Sequence, residues 1–99
     1  MNAKLSNSVV SKLKSIAQKL EPILALGKSG ASEAFLKSLD EVLGQHELVK
    51  IKFAAFKDER KTLAPQLAEK TNSHLIMIVG HVAVFYREQP DAAKRKVVV

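Results

Sequence analysis

Cysteine is absent from this chain, and no long apolar run is present. The 99 residues include no Cys, and no apolar stretch approaches the roughly 20 residues of a membrane span. Without cysteine the chain can form neither a disulfide framework nor a thiolate metal site, which fits a reducing compartment. The first seven residues are polar and lack the apolar core of a signal peptide. We therefore expect a cytoplasmic protein with no membrane partner.

The composition is sufficient for one core and carries an excess of positive charge. Hydrophobic residues make up 46% of the chain, which predicts a single domain over residues 1–90. We expect residues 91–99 to form a basic, mobile tail. Lys and Arg number 16 against 10 Asp and Glu, giving a net charge of +6. This excess favours a polyanionic partner, nucleic acid before an acidic membrane surface.

Apolar spacing and break residues divide the chain into seven elements. Helical spacing from Leu5 to Leu20 predicts a first helix that ends before Pro22. The other predicted elements are a strand at Ile23–Leu26, a helix from the N-cap Ser32 to about Leu43 with Gly44 as its stop, a strand at Leu48–Phe53, a helix at Asp58–Thr71, and strands at His74–Val79 and Val82–Arg87. The order α-β-α-β-α-β-β predicts an α/β (α+β two-layer) fold, with a mixed four-stranded sheet and helices on one side.

Three local features refine this prediction. Pro65 is awkward within the third helix, so either the regular helix starts close to Pro65 or the helix kinks there, and we favour the first. The strand at His74–Val79 is apolar on both faces, which predicts a central position. In the strand at Leu48–Phe53, the face that carries Lys50 and Lys52 is predicted to be mostly open.

A glycine-bracketed loop, Gly27-Lys28-Ser29-Gly30, lies between the first strand and the second helix. Hereafter we call it the glycine loop. Its glycines permit close approach of a ligand, Lys28 supplies charge, Ser29 can donate a hydrogen bond, and the following helix presents unpaired N–H groups. The residues alone leave a plain tight turn and a phosphate site equally open. A nucleotide-binding P-loop is excluded, because Pro22 occupies the position of its first glycine.

Other basic residues are candidate phosphate contacts, each with a solvated surface as the alternative. They are Lys12, Lys14 and Lys19 on the first helix, Lys50 and Lys52 on the second strand, and Lys94, Arg95 and Lys96 in the tail. Arg87 is expected to pair with a carboxylate. For the aromatic residues Phe85 and Tyr86, base stacking is possible, but we expect Phe85 to pack in the core.

Catalysis and metal binding find little support. His46-Glu47 begins a zinc-protease pattern, but Lys50 occupies the second ligand position. The pairs Asp40-Glu41 and Asp58-Glu59 are adjacent residues, so each pair diverges around a helix. We predict no enzyme activity, no metal and no cofactor.

Four segments in order resemble the CRM (chloroplast RNA splicing and ribosome maturation) family. They are Leu20-Glu21-Pro22, Leu26 with the glycine loop, His46 to Lys50, and Gly80 to Arg87, and the resemblance spans roughly Leu5 to Arg87. It implies an RNA-binding domain with a fold like the C-terminal domain of translation initiation factor three. Bacterial single-domain members associate with precursors of the large ribosomal subunit. Phe85, where leucine is common, and Pro65 are departures.

The resemblance thus implies a monomeric protein that binds ribosomal RNA during large-subunit assembly, without a small-molecule substrate. It implies phosphate contact by the glycine loop, as in KH domains, and it places the first helix near that loop. Two alternatives remain, a protein–protein adaptor on the ribosome and an enzyme acting on RNA.

Overall fold

The computed structural model describes residues 5–95 and residue 97. Its elements are α1 (Asn7–Ala17), β1 (Leu24–Leu26), α2 (Glu33–His46), β2 (Leu48–Phe53), α3 (Arg60–Lys70), β3 (His74–Val79) and β4 (Val82–Tyr86), with 3₁₀ turns at Lys57–Glu59 and Ala92–Lys94. This order confirms the predicted element sequence and the mixed α+β class, but not the two-layer arrangement. Across the described residues, no helix has the length and apolarity that a bilayer crossing requires.

The sheet has the strand order β1-β2-β4-β3. β1 and β2 run parallel, whereas β4 is antiparallel to both of its neighbours, β2 and β3. The predicted central position of β3 is therefore wrong, because β4 folds back from the hairpin and inserts between β2 and β3. β3 is an edge strand that is apolar on both faces for a different reason, which is the placement of the helices.

Helices cover both faces of the sheet, so the expectation of helices on one side is wrong. Alternate residues of β2 separate into two clusters, with Val49, Ile51 and Phe53 packed beneath α2 and α3. Leu48 belongs to the opposite face, where Leu13 and Ala17 of α1 pack. That face is itself apolar through residues of β3 and β4, and its burial stabilises the fold. The result is three layers, helix on sheet on helix.

The second helix continues past Gly44, which is not its stop. α2 ends at His46, and its C-cap Glu47 adopts a left-handed φ of 63°. A Cβ at Gly44 would lie 3.7 Å from Nη2 of Arg87, an ordinary contact distance, so packing does not require glycine there. Glu47 is 1% exposed, and its carboxylate accepts the backbone N–H groups of Gln89 (2.8 Å) and Val97 (2.9 Å). This buried carboxylate holds the segment after β4 against the end of α2.

The third helix starts two residues after the predicted Asp58, but before the regular start near Pro65 that we favoured, which is therefore wrong. It begins at Arg60, after a 3₁₀ turn, so Pro65 lies inside the helix rather than in its first turn. Proline cannot donate to the carbonyl four residues before it, which is that of Lys61. Pro65 is exposed, so water can satisfy this carbonyl.

Lys50 ties α1 to the sheet. Its ammonium donates to the carbonyl oxygens of Ala17 (3.0 Å) and Leu20 (2.9 Å). These carbonyls close the C-terminal end of α1, where orphan acceptors and the helix dipole favour a cation. The predicted open face of β2 is therefore covered at Lys50 and exposed only at Lys52 among its lysines.

We predict that Lys50→Met lowers the free energy of unfolding by about 1–2 kcal/mol, because two carbonyls lose a charged donor. Lys52→Met removes the same charge two residues along the same face, and should shift stability by less than about 0.5 kcal/mol. Urea unfolding of both variants measures the difference. Equal effects would contradict the assignment of Lys50 to the end of α1.

Candidate nucleic-acid interface

The glycine loop is an exposed turn between β1 and α2, as predicted. The N–H of Gly30 donates to the carbonyl of Gly27 at 3.0 Å, which closes the turn and directs Lys28 and Ser29 outward. Ser32 is the N-cap of α2, and its Oγ accepts the N–H of Phe35 at 3.2 Å. The side chains at the turn are thus available to a ligand in front of a helix N-terminus.

The two glycines have different structural reasons. Gly30 has a φ of 65°, and a Cβ there would lie 3.3 Å from Cε2 of Phe56. Both the backbone and the neighbouring ring therefore require glycine at this position. At Gly27 a Cβ would meet no described atom within 4 Å, and no positive φ constrains it. Packing inside the described chain does not explain Gly27, whereas close approach of a ligand would.

Three loops meet at this end of the sheet. The N–H groups of Ala54 and Ala55 both donate to the carbonyl of Leu26 at 3.0 Å, which holds the segment after β2 beside the glycine loop. The N–H of Phe53 donates to the carbonyl of His81 at 2.7 Å, which brings the β3–β4 turn alongside. We call this region the loop end, and the other end of the sheet the far end.

Sequence reasoning missed several residues at the loop end. Phe56 is 41% exposed and lies against Gly30, and Lys57 and Lys61 follow it with exposed side chains. The signal was present: β1 and β2 are parallel, so the loops after them emerge at the same edge. Acidic residues also lie at the loop end, namely Glu33, Asp58 and Glu59. The surface of the loop end is therefore positive around the lysines and not over its whole area.

The predicted strand lysines have separate environments. Lys52 is exposed and directly precedes Phe53, so it lies near the loop end. Lys50, by contrast, has its ammonium on the carbonyls of α1 described above. The structure brings Lys52, and not Lys50, towards the glycine loop.

The basic residues of the first helix do not share one face. Lys12, Lys14 and Lys19 are all exposed, with Lys19 in the turn that follows α1. Lys14 is about 200° around the helix from Lys12, so these two side chains point to different flanks, and Lys19 lies beyond the end of the helix. The flank of Lys12 also carries Ile16, which lines a cavity with Leu48 and Val97 at the far end.

The C-terminal basic residues also lie at the far end. Lys94 and Arg95 are exposed and line a cleft with Gly44 and Gln45, at the end of α2. Nε of Arg95 donates to the carbonyl of Gln89 at 2.8 Å, and its Nη2 is 3.1 Å from Glu88. Lys96 lies outside the described residues. Mobility of residues 91–99 stays a prediction, but the described part contacts the domain.

Arg87 has the carboxylate partner that was predicted. Its Nη1 is 2.6 Å from Oδ1 of Asp40, and it also donates to the carbonyls of Thr71 and Asp40. These bonds join β4, α2 and the end of α3. Arg87 therefore belongs to the fold.

The residues with shifted pKa values lie at the far end. Burial lowers the pKa of His74, whose ring stacks near that of Tyr86, with centroids 6.4 Å apart. Burial, followed by the negative charges of Glu88 and Glu47, raises the pKa of Tyr86. Tyr86 and Phe85 are 2% and 0% exposed, so neither can stack on a base, and the core position predicted for Phe85 is confirmed. The described residues contain no group of acidic or histidine side chains arranged to hold a metal ion.

Comparison with known proteins adds the family. The sequence profile of the CRS1/YhbY (CRM) domain matches residues 5–87. The chain belongs to this family. It is 37% identical over 82 residues to a probable RNA-binding protein of Pseudomonas aeruginosa, covering 82% of this chain and 79% of that protein. It is 31% identical over 81 residues to an RNA-binding protein of Haemophilus influenzae, covering 81% and 82%.

A solved structure agrees with the fold. The solution structure of a Staphylococcus aureus protein, for which RNA binding has been suggested, matches with a TM-score of 0.77 and 32% identity. The match covers 96% of this chain and 100% of the other. The three-helix, four-stranded architecture is therefore that of a CRM relative.

We predict that Gly30→Ala lowers the free energy of unfolding by about 1–2 kcal/mol, because alanine is strained at positive φ and its Cβ meets Phe56. Gly27→Ala should leave stability unchanged or raise it by up to about 1 kcal/mol, since alanine restricts the unfolded chain. Denaturant unfolding of the two variants gives the comparison. A large loss in Gly27→Ala would contradict the open environment of that glycine.

Proposed function

We propose that this protein binds RNA and acts in assembly of the large ribosomal subunit, where it holds structured ribosomal RNA through the glycine loop. The observation that carries the proposal is Gly27, an exposed glycine for which packing gives no reason, beside Lys28 and a helix N-terminus. The bacterial relatives, a probable RNA-binding protein and an RNA-binding protein, support RNA as the partner. The large-subunit role rests on family resemblance.

The mechanism is electrostatic clamping of the RNA backbone. A phosphate that approaches over Gly27 meets no side chain, and it gains charge from Lys28 and N–H donors from the turn. Ser29 adds a hydroxyl donor. Glu33, in the first turn of α2, opposes an anion, so the lysine is needed to keep the local field favourable.

The basic surface extends from the loop in one direction. Lys52 and Lys57 continue the positive charge at the loop end, while Lys12 and Lys14 add exposed positive charge on two flanks of α1. Lys50 is assigned to the fold. Lys19, Lys94 and Arg95 belong to the far end, so they would contact a different part of a large RNA; Lys96 belongs to the same predicted set. This division favours a structured RNA that spans the domain over a short strand.

Binding rather than catalysis is the proposed activity. The same proposal includes a monomeric state, a cytoplasmic location and no cofactor. The rival is an adaptor that contacts ribosomal proteins, for which the positive charge would serve solubility alone. Salt dependence separates the two, because phosphate neutralisation releases counterions.

We predict that log affinity for a structured ribosomal RNA fragment falls with log salt at a slope of about −3 to −5, for about four to six neutralised phosphates. Lys28→Glu should weaken binding and make the slope shallower, and Gly27→Ala should weaken binding with stability intact. Lys70→Glu is the control, an exposed lysine at the end of α3 with the same charge change. Filter binding at several salt concentrations measures each.

A slope near zero with intact affinity, or wild-type binding by Lys28→Glu at low salt, would refute the phosphate clamp. Equal losses in Lys28→Glu and Lys70→Glu would mean that only net charge matters.

We also expect the protein to co-sediment with immature large-subunit particles more than with mature ribosomes or small subunits. Gradient fractionation of cell extract at low salt, followed by immunoblotting, measures the distribution. Lys28→Glu should shift the protein towards the free fractions. Recovery of the wild type from free fractions alone would contradict the assembly role.

A further inference from the structure

One aromatic side chain differs from the others in its exposure. The chain has 4 Phe and 1 Tyr, all within the described residues. Phe53, Phe85 and Tyr86 are buried, and Phe35 of α2 is half-buried and packs against the core. Phe56 is 41% exposed and belongs to neither hydrophobic cluster. The core therefore does not account for this ring.

The backbone at Phe56 is also unusual. Its φ of 55° and ψ of 37° lie in the left-handed region, where bulky side chains are disfavoured. Nothing in the burial of the side chain compensates for this conformation. What the conformation does achieve is to place the ring against Gly30, where Cε2 would be 3.3 Å from an added Cβ. The ring and the glycine loop thus form one continuous surface.

This surface combines an apolar ring with cations. Lys57 follows Phe56 directly, and Lys28 lies in the loop that the ring contacts, with both side chains exposed. A nucleotide carries a flat π face and a phosphate, and proteins recognise the two with aromatic rings and positive charge respectively. A protein partner would not require both at one place.

We propose that Phe56 stacks on an unpaired base of the RNA whose backbone phosphate lies on the glycine loop. The inference rests on the proposed function and deepens it, because it names the ligand as a bulged or looped nucleotide within structured RNA. In a continuous duplex, both faces of each base are covered by neighbouring pairs, and specific contacts concentrate on unstacked bases. The ring sits beside the phosphate site, so one nucleotide can occupy both.

The absence of tryptophan from the chain supplies a clean probe. Phe56→Trp keeps an aromatic face and introduces a single indole at the proposed contact. Stacking of a base on that indole should quench its fluorescence. The titrant is an RNA hairpin with one bulged adenosine, compared with the same hairpin fully paired and the same hairpin with an abasic bulge. We expect strong quenching by the bulged adenosine alone.

Loss of the ring should weaken the bulged complex selectively. Phe56→Leu should reduce affinity for the bulged hairpin about fivefold to 150-fold, the equivalent of 1–3 kcal/mol at 1.4 kcal/mol per tenfold. Affinity for the abasic hairpin should be nearly unchanged. Phe56→Asn should give the same result with stability equal or higher, since asparagine tolerates positive φ. Ile23→Ala is the matched control, because Ile23 is 44% exposed but lies at the other end of β1.

Several outcomes would overturn the inference without touching the proposed function. They are wild-type affinity of Phe56→Leu for the bulged hairpin, equal quenching by all three hairpins, or an equal loss in Ile23→Ala, while Lys28→Glu still weakens RNA binding. Wild-type RNA binding by Phe56→Leu together with reduced recovery on ribosomal particles would assign Phe56 to a protein contact instead. If Lys28→Glu also binds normally, the proposed function itself fails.

Discussion

The parallel pairing of β1 with β2 is the constraint on which the rest of the molecule depends. Leu24, Ala25 and Leu26 pair with Ile51, Lys52 and Phe53 in the same direction, so the chain must cross back between them, and α2 is that crossover. Parallel strands also deliver their following loops to the same edge. The glycine loop and the Phe56 segment therefore meet because of strand direction, and the carbonyl of Leu26 fixes their spacing by accepting two N–H groups.

A sheet of four strands has two faces, and each must be buried. α2 and α3 cover one face, and α1 covers the other. The carbonyls at the end of α1 accept hydrogen bonds from the ammonium of Lys50. At the far end, the buried carboxylate of Glu47 binds N–H groups of Gln89 and Val97. Lys50 and Glu47 thus bind groups of the chain itself, at the end of α1 and at the far end. The exposed lysines of the loop end are available to a ligand.

Much of the architecture could be predicted from local sequence. The predicted bounds of β2 and β3 match the structure, because each strand is a short, largely apolar run between residues that break strands. The N-cap Ser32 could also be predicted, because serine is a preferred N-cap residue and Ser32 directly precedes the helical run. The wrong predictions are those that depend on which elements lie next to each other in the fold. An apolar strand such as β3 can be central in a sheet or sandwiched between helices at its edge, and only the pairing of β4 with both β2 and β3 distinguishes the two. Likewise Gly44 is a common type of helix stop, but α2 continues through it to His46, and the left-handed cap is Glu47.

The candidate site divides in the same way. The glycine loop was recognisable, because glycine at both ends of a lysine and serine is a local signal. Lys50 and Lys52 looked equivalent as alternate residues of one strand, yet one is bound to α1 and the other is free on the surface. Phe56 could not be predicted as a site residue, because a Phe is expected to pack in the core. Its exposure and its contact with Gly30 are known only from the structure.

The pairing of Gly30 with Phe56 ties the loop to the rest of the fold. Gly30 must lack a side chain both for its torsion and for the ring, so the turn and the ring constrain each other. Gly27 has no such obligation inside the described chain. One glycine therefore shapes the turn and the other leaves room in front of it, which is an arrangement suited to the proposed contact with a structured RNA. A loop that became ordered only on binding would lose conformational entropy at that step, which would weaken affinity. The glycine loop is already held in place by its contacts with the segment after β2.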